Sequence, residues 1–274
     1  MKTPMDNKES IYNLFLDFIM ERELIRRRRE SGQPYPFTED IILRDYKFTN
    51  VSRKHDRFTV ELEQLVRTQM KTKSLEEVVF NILVHRNHSK TETLKRWGWL
   101  SGYKDAKGKL LKDKKEGTTS MTGAFIRCLS GDKILNGFQY YDENIGKLLS
   151  AAHSAKTLKE FFRELRKFPL VGNFMGWQML CDLRLLGLVP AKPDDDTFVV
   201  LGPGAKKGIG LMPEGLRNPI NLLEAVRRDR VELNWLSIED IEHSLCEFSK
   251  YHRALNNNGR PKQRYTPNSI PVIS

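Results

Sequence analysis

The chain has 274 residues, with 46 Lys and Arg against 35 Asp and Glu, a net charge of +11 and 39 % hydrophobic residues. That apolar share can build a core, but no apolar run reaches the ~18–20 residues of a membrane span. The positive field favours a polyanionic partner, nucleic acid ahead of an anionic membrane surface, with a merely solubilising surface as the plainer alternative.

The N-terminus, MKTPMDNKES, lacks the apolar centre of a secretion signal. Residues 10–30 place Ile11, Leu14, Phe15, Phe18 and Ile19 at helical spacing, then turn basic at Arg26–Arg29. That run suits phosphate or, more plainly, a solvated helix end. SGQPYPF interrupts, and TEDIILRDYKF restarts a helix behind Thr38, with Asp40 in its first turn. Leu75, Val78, Val79, Ile82 and Leu83 predict a buried helix, with a short second helix after it. His85 and His88 are three apart, but no third ligand can be named beside them, so no metal site is expected.

Residues 101–118, SGYKDAKGKLLKDKKEGT, are rich in glycine and lysine without a period and predict a basic loop or small hairpin. Further helices are predicted at 144–153, 157–167, 173–186, 219–228 and near 237–254, before an irregular tail. Cys128, Cys181 and Cys246 include no CxxC pair, which excludes a four-thiolate zinc or iron–sulfur site. They are expected as reduced thiols of a soluble cytoplasmic protein. With no internal repeat and no alternating strand series, the expected fold is mostly α, two helical lobes around a cleft. Residues 1–266 are expected to form one domain and 267–274 an irregular tail.

Two stretches carry chemistry. In KFPLVGNFMGWQMLCDL, Phe168-Pro169 ends one helix, Val171-Gly172 opens the next, and Gly176 allows close helix crossing. This resembles the helix-hairpin-helix of DNA base-excision glycosylases, with Leu170 where that family has its first glycine. The resemblance implies that backbone N–H groups at Val171 and Gly172 hold a DNA phosphate; an ordinary helical turn is the alternative. The lyase-type members place a Schiff-base lysine where Phe174 stands here, which argues against that chemistry. Downstream, Asp194-Asp195-Asp196-Thr197 resembles the Asp-Thr pair of those glycosylases, and adjacent like charges suit one carboxylate to proton transfer. An acidic surface loop is the alternative. LGPGAKKGIG reads as a loop whose glycines at 202, 204 and 208 expose backbone N–H groups and which, with Lys206-Lys207, suits phosphate, although its spacing fits neither a P-loop nor a Rossmann fingerprint.

Three blocks, YKFTNVSRKHDRFT, DDDTFVVLGPGAKKGIG and IEHSLCEFSKYHRALNNNGRPKQRY, together resemble the alpha-glutamyl/putrescinyl thymine pyrophosphorylases. The resemblance spans residues 10–266. It implies a helix-hairpin-helix, DNA glycosylase-like fold and a transferase that replaces pyrophosphate on 5-pyrophosphoryloxymethyl-uracil in DNA with an amine such as glycine, glutamate or putrescine. A separate DNA kinase would act upstream, and the host cytoplasm would be the location if a phage encodes the chain. The implied catalytic base is Asp196, with Asp195 next to it. Gly202, Gly204, Lys206, Lys207, Asn50, Arg53, Asp56 and Arg57 would bind pyrophosphate, and Lys250, Tyr251 and Arg253 would join Val171 and Gly172 on DNA. No cofactor is required, and magnesium is admissible. Plainer roles remain for several residues: Phe48 and Phe248 as core, Arg53, Asp56 and Arg57 as an internal ion-pair network, and Cys246 as a buried small hydrophobe. The rival functions are a monofunctional helix-hairpin-helix DNA glycosylase and a non-catalytic DNA-binding module.

Overall fold

A computed structural model describes residues 4–122 and 131–266, with side chains from Ile11 onward, so Cys128 and the 267–274 tail lie outside the described residues. Twelve α-helices run through the described residues, joined by turns and short 3-10 segments, and no strand is present among them. The mostly α expectation is met. The chain forms two compact units, one from residues 1–55 and 199–274, the other from 56–198.

The first unit contains α1 (Pro4–Glu30), α2 (Ile41–Asp45), α10 (Pro203–Leu211), α11 (Pro219–Asp229) and α12 (Ile238–Leu255). Its core follows from the apolar stripe on α1. Phe15 meets Phe248 edge-on at 5.1 Å, and Phe18 lies 5.6 Å from Phe248 and 5.0 Å from Tyr251. Phe48 and Phe248 are buried in this aromatic cluster, the core role expected of them. Each such ring contributes roughly 2–3 kcal/mol by leaving water. Helix α12 begins with a capping box in which Ser237 and Asp240 satisfy each other's backbone N–H groups. Helix α2 starts later than expected. Asp40 is its cap, accepting from the N–H groups of Ile42 and Leu43 at 2.8 and 3.0 Å, while Thr38 accepts from Asp40 N–H.

The second unit contains α3 (Arg57–Gln69), α4 (Leu75–His88), α5 (Thr91–Trp97), α6 (Tyr103–Lys115), α7 (Gly131–Ser154), α8 (Leu158–Leu165) and α9 (Asn173–Leu185). Helix α4 is its axis, opened by a Ser74–Glu77 capping box and buried at every position from Val78 to His88. Such a helix must satisfy its own polar groups. Asn81 does so by accepting from Leu100 N–H and donating to Leu100 C=O, both at 2.8 Å. His85 donates from Nε2 to Gly98 C=O at 2.9 Å, and burial pushes its imidazole down to about 4.

Two segments expected as loops are helices. Residues 103–115 form α6 because lysine and leucine are good helix formers and one interior glycine, Gly108, costs only about 1 kcal/mol. Its end is anchored by Asp113, which is buried and accepts from Arg96, Trp97 Nε1 at 2.8 Å and Ser120 Oγ at 2.7 Å. The second is α10, which takes up the glycine-rich run, with Pro203 at its first position, where a missing N–H is harmless.

Candidate functional site

The hairpin between α8 and α9 is a built turn. Helix α8 ends at Leu165, and Leu170 then takes the left-handed conformation, φ +64°. A leucine there costs roughly 1–2 kcal/mol. The turn is held from below: Tyr141 on α7 donates to Pro169 C=O at 2.7 Å and accepts from Asn87 on α4 at 3.0 Å. The Leu170 side chain lies against Gly137 of α7, where an added Cβ would sit 2.5 Å from its Cδ1. Val171 is buried and Gly172 caps α9 in extended backbone. Gly176 lets α8 and α9 cross: a Cβ there would stand 3.0 Å from Phe162 and 3.2 Å from Val171.

The three adjacent aspartates separate into different tasks within this unit. Asp194 accepts from the N–H groups of Leu158 and Lys159 at 2.6 and 3.1 Å, capping α8, where a carboxylate also meets the positive end of the helix dipole. Asp195 lies 3.6 Å from the Arg184 guanidinium. Asp196 and Thr197 are exposed on the turn. A buried pair that spacing alone did not reveal joins α4 to α9: Arg86 grips Asp182 with Nε–Oδ2 2.5 Å and Nη2–Oδ1 2.7 Å, while the Phe58 ring covers its guanidinium at 4.4 Å. Long-range pairing of this kind leaves no local signal.

In the first unit, Asp40, Thr49 and Gly202 all meet side chains of α12. Tyr251 donates to Asp40 at 2.6 Å, Glu247 accepts from Thr49 N–H at 3.3 Å, and Glu242 accepts from Gly202 N–H at 3.1 Å. Burial pushes the Tyr251 phenol up, and the Asp40 carboxylate adds to that. Lys250 is ion-paired to Glu247. Arg22 of α1 donates to the carbonyls of Phe48 (2.9 Å) and Thr49 (2.5 Å), fixing the irregular segment that carries Asn50. Asn50 donates to His55 C=O at 2.6 Å and accepts from Arg29 at 3.4 Å. Arg53 is buried, whereas Arg253 is exposed.

The glycine-rich run does not form the open phosphate loop expected of it. Gly204 and Gly208, one helical turn apart, face α12. A Cβ at Gly204 would collide with the Cys246 thiol, and one at Gly208 with the Leu245 carbonyl oxygen. These glycines bring two backbones together, and the N–H of Gly202 is already held by a carboxylate. Lys206 and Lys207 are exposed on α10. Burial pushes the Cys246 thiol up to about 11, which suits packing rather than nucleophilic attack.

Asn50, Arg53, Gly202, Gly204, Lys206, Lys207, Lys250, Tyr251 and Arg253 thus share one unit, while Asp56, Arg57, Val171, Gly172, Asp195 and Asp196 belong to the other. Asp56 stands at the start of α3, next to exposed Arg57. No group of three or more potential metal ligands occurs among the described residues. None of the described helices is long and apolar enough to cross a membrane.

A family model described as "5-hmdU DNA kinase, helical domain" matches residues 9–229, and the chain belongs to that family. It is similar to the "5-hmdU DNA kinase" of Bacillus phage SP10, 24 % identical over 303 aligned residues that cover 92 % of this chain and 48 % of the relative. The chain therefore spans about half the length of the curated relative it matches. No solved structure matches. These findings overturn the resemblance to thymine pyrophosphorylases, and with it the transferase that exchanges pyrophosphate for an amine. The kinase expected as a separate upstream enzyme names this chain's own family. The glycosylase and binding-module alternatives gain nothing from either comparison. Much of what carried the resemblance packs inside the first unit: Thr49 and Gly202 donate to carboxylates of α12, and Gly204 and Gly208 face its backbone.

Proposed function

We propose that this chain, as a member of the 5-hmdU DNA kinase helical-domain family, supplies the DNA-holding side of a kinase acting on 5-hydroxymethyl-deoxyuridine in DNA. In that reaction the hydroxymethyl oxygen attacks the γ-phosphorus of a nucleoside triphosphate. The bond to the bridging oxygen breaks, the nucleoside diphosphate leaves, and the hydroxyl proton passes to a base. The part assigned to these helices is to grip the polyanion and present the hydroxymethyl group. One observation supports the DNA side over the nucleotide side: the stretch closest to a phosphate cradle, GPGAKKG, is a helix packed on α12. The net charge of +11 supports the same assignment. Of the three neighbouring carboxylates, exposed Asp196 is the one we assign to the departing proton, since Asp194 caps a helix and Asp195 faces Arg184.

Fluorescence anisotropy with thymine and 5-hydroxymethyl-deoxyuridine duplexes tests the assignment. Binding that weakens steeply with salt is expected for both, and absence of binding at low salt would remove it. In transfer of label from γ-labelled ATP, Asp196→Asn should lower the rate roughly 10²–10⁴-fold with DNA affinity kept. Equal losses in transfer and in affinity would remove Asp196 as the base.

A further inference from the structure

Helix α6 presents an exposed cationic stripe, in which Lys107 lies 5.8 Å from the Tyr103 ring centre. Lys104, Lys107, Lys114 and Lys115 are all exposed, with half-exposed Leu111 and exposed Gly108 between them. On a helix these positions fall along one side and its edge, and Lys104 to Lys115 spans about 16 Å. The acids of the same helix are spent elsewhere. Asp105 accepts from Ser101 N–H at 3.2 Å and pairs with Lys109 at 3.3 Å, and Asp113 is buried against Arg96, Trp97 and Ser120. Lys109 is drawn inward to the carbonyls of Trp97 and Trp99. Lys112 reaches Glu116 at 3.9 Å.

Of the remaining lysines, Lys114 and Lys115 sit in the last turn, where the helix dipole favours a cation, but the first-turn end is different. Lys104 sits in the first turn, where the helix dipole disfavours a cation, and Lys107 follows three residues later as a like charge. A solvated helix ordinarily sets acids four residues before lysines on its outer face. Here that pattern is met by Asp105 with Lys109, and no acid stands four residues before Lys104, Lys107, Lys114 or Lys115 within the helix. The helix is also fixed in place: Asp142 of α7 accepts from Tyr103 N–H at 3.2 Å at one end, and Asp113 holds the other. A rigid row of like charges is complementary to a polyanion with regular spacing. Duplex DNA supplies one phosphate per roughly 1.7 Å of axis.

We propose that α6 is a docking rail for the DNA phosphate backbone, with Lys104, Lys107, Lys114 and Lys115 as its contacts. It rests on the DNA-holding reading above and adds the surface that does the holding. Gly108 leaves the rail flush, so a sugar–phosphate strand can approach the helix backbone.

The test compares the four-lysine variant (K104Q, K107Q, K114Q, K115Q) with a charge-matched control (K71Q, K95Q, K147Q, K262Q), using salt titrations of binding to a 5-hydroxymethyl-deoxyuridine duplex. Glutamine keeps helix propensity, and circular dichroism verifies the fold. Loss of four contacts should flatten the slope of log K against log salt by about 3 to 4 for the rail variant. Between 50 and 200 mM salt the unmodified protein should then lose on the order of 100-fold more affinity than the variant. The control should move the slope by less than one. An unchanged slope in the rail variant, or an equal change in the control, would overturn the rail while leaving DNA holding intact. No DNA binding by the unmodified protein would instead remove the reading beneath it. Vesicles containing phosphatidylserine form the last arm: a rail variant that loses vesicle binding but keeps duplex binding would assign the stripe to a membrane surface and overturn the proposal.

Discussion

Arg86 and Asp182 form a bidentate ion pair in the interior of the second unit, both almost wholly shielded from water, and they tie α4 to α9. Removing one partner leaves a buried charge without compensation, which costs roughly 3–5 kcal/mol, whereas replacing both with apolar groups of similar volume is often tolerated. Asp182→Asn should therefore lower unfolding stability by several kcal/mol in urea titrations. The double change Arg86→Met with Asp182→Leu should recover most of the loss. A double variant as unstable as the sum of the singles would show that the charges themselves hold the helices.

Leu170 and Gly137 make a second coupled pair. Gly137→Ala should destabilise by about 1–3 kcal/mol, because the new methyl has no room beneath the Leu170 side chain. Leu170→Gly removes that obstruction and relieves the left-handed leucine, so in its background Gly137→Ala should be neutral or stabilising. A double-mutant cycle with no interaction energy would mean that the turn yields and the contact is soft.

Gly204 and Gly208 should differ in tolerance although both face α12. The obstacle at Gly204 is the Cys246 side chain, while at Gly208 it is the backbone carbonyl of Leu245. Gly208→Ala should therefore lower Tm well beyond Gly204→Ala, and Cys246→Ala should rescue only the latter. Equal Tm losses would contradict backbone contact as the limiting term.

Asp113 sets an acid limit on the α5–α6 region. Burial alone would raise its pKa, but hydrogen bonds from Arg96, Ser120 and Trp97, together with the guanidinium charge, outweigh burial and hold it at about 2. A folded-state pKa below the unfolded one gives stability that is complete above pH ~5 and fades as pH falls through 4 toward 2. The shift corresponds to about 2 kcal/mol. The stability difference between the unmodified protein and Asp113→Asn should shrink by about that amount between pH 6 and pH 2. A difference constant with pH would place Asp113 outside the acid transition.

Amphipathic helices were legible from residue spacing alone. The stripe of Phe15, Phe18 and Ile19, the Leu158–Leu165 face, and the patterns behind α9, α11 and α12 all fall on helices within a few residues of expectation. Helices α6 and α10 were not, because spacing cannot distinguish a glycine that opens a loop from one that admits a neighbouring backbone. Only the position of Leu245 decides that for Gly208. The aspartate run was legible as a cluster, yet its division among a helix cap, an arginine neighbour and an exposed carboxylate depends on α8 and α9 being folded first. Reaction type was the least legible. Glycines and lysines that read as a phosphate loop belong to a helix packed on α12, so the run carried no information on the reaction.

The contact of Phe15 and Phe18 with Phe248 and Tyr251 has a consequence for biosynthesis. The first unit is assembled from both ends of the sequence, and the second is continuous between them. At about 5–20 residues per second, α1 leaves the ribosome roughly 10–50 s before α12 exists to cover it. Residues 56–198 complete their own unit during that wait, while an uncovered aromatic helix trails from the nascent chain. Arrest of translation after residue 198 has left the ribosome and before residue 238 should therefore leave a product whose middle is folded and whose beginning is not.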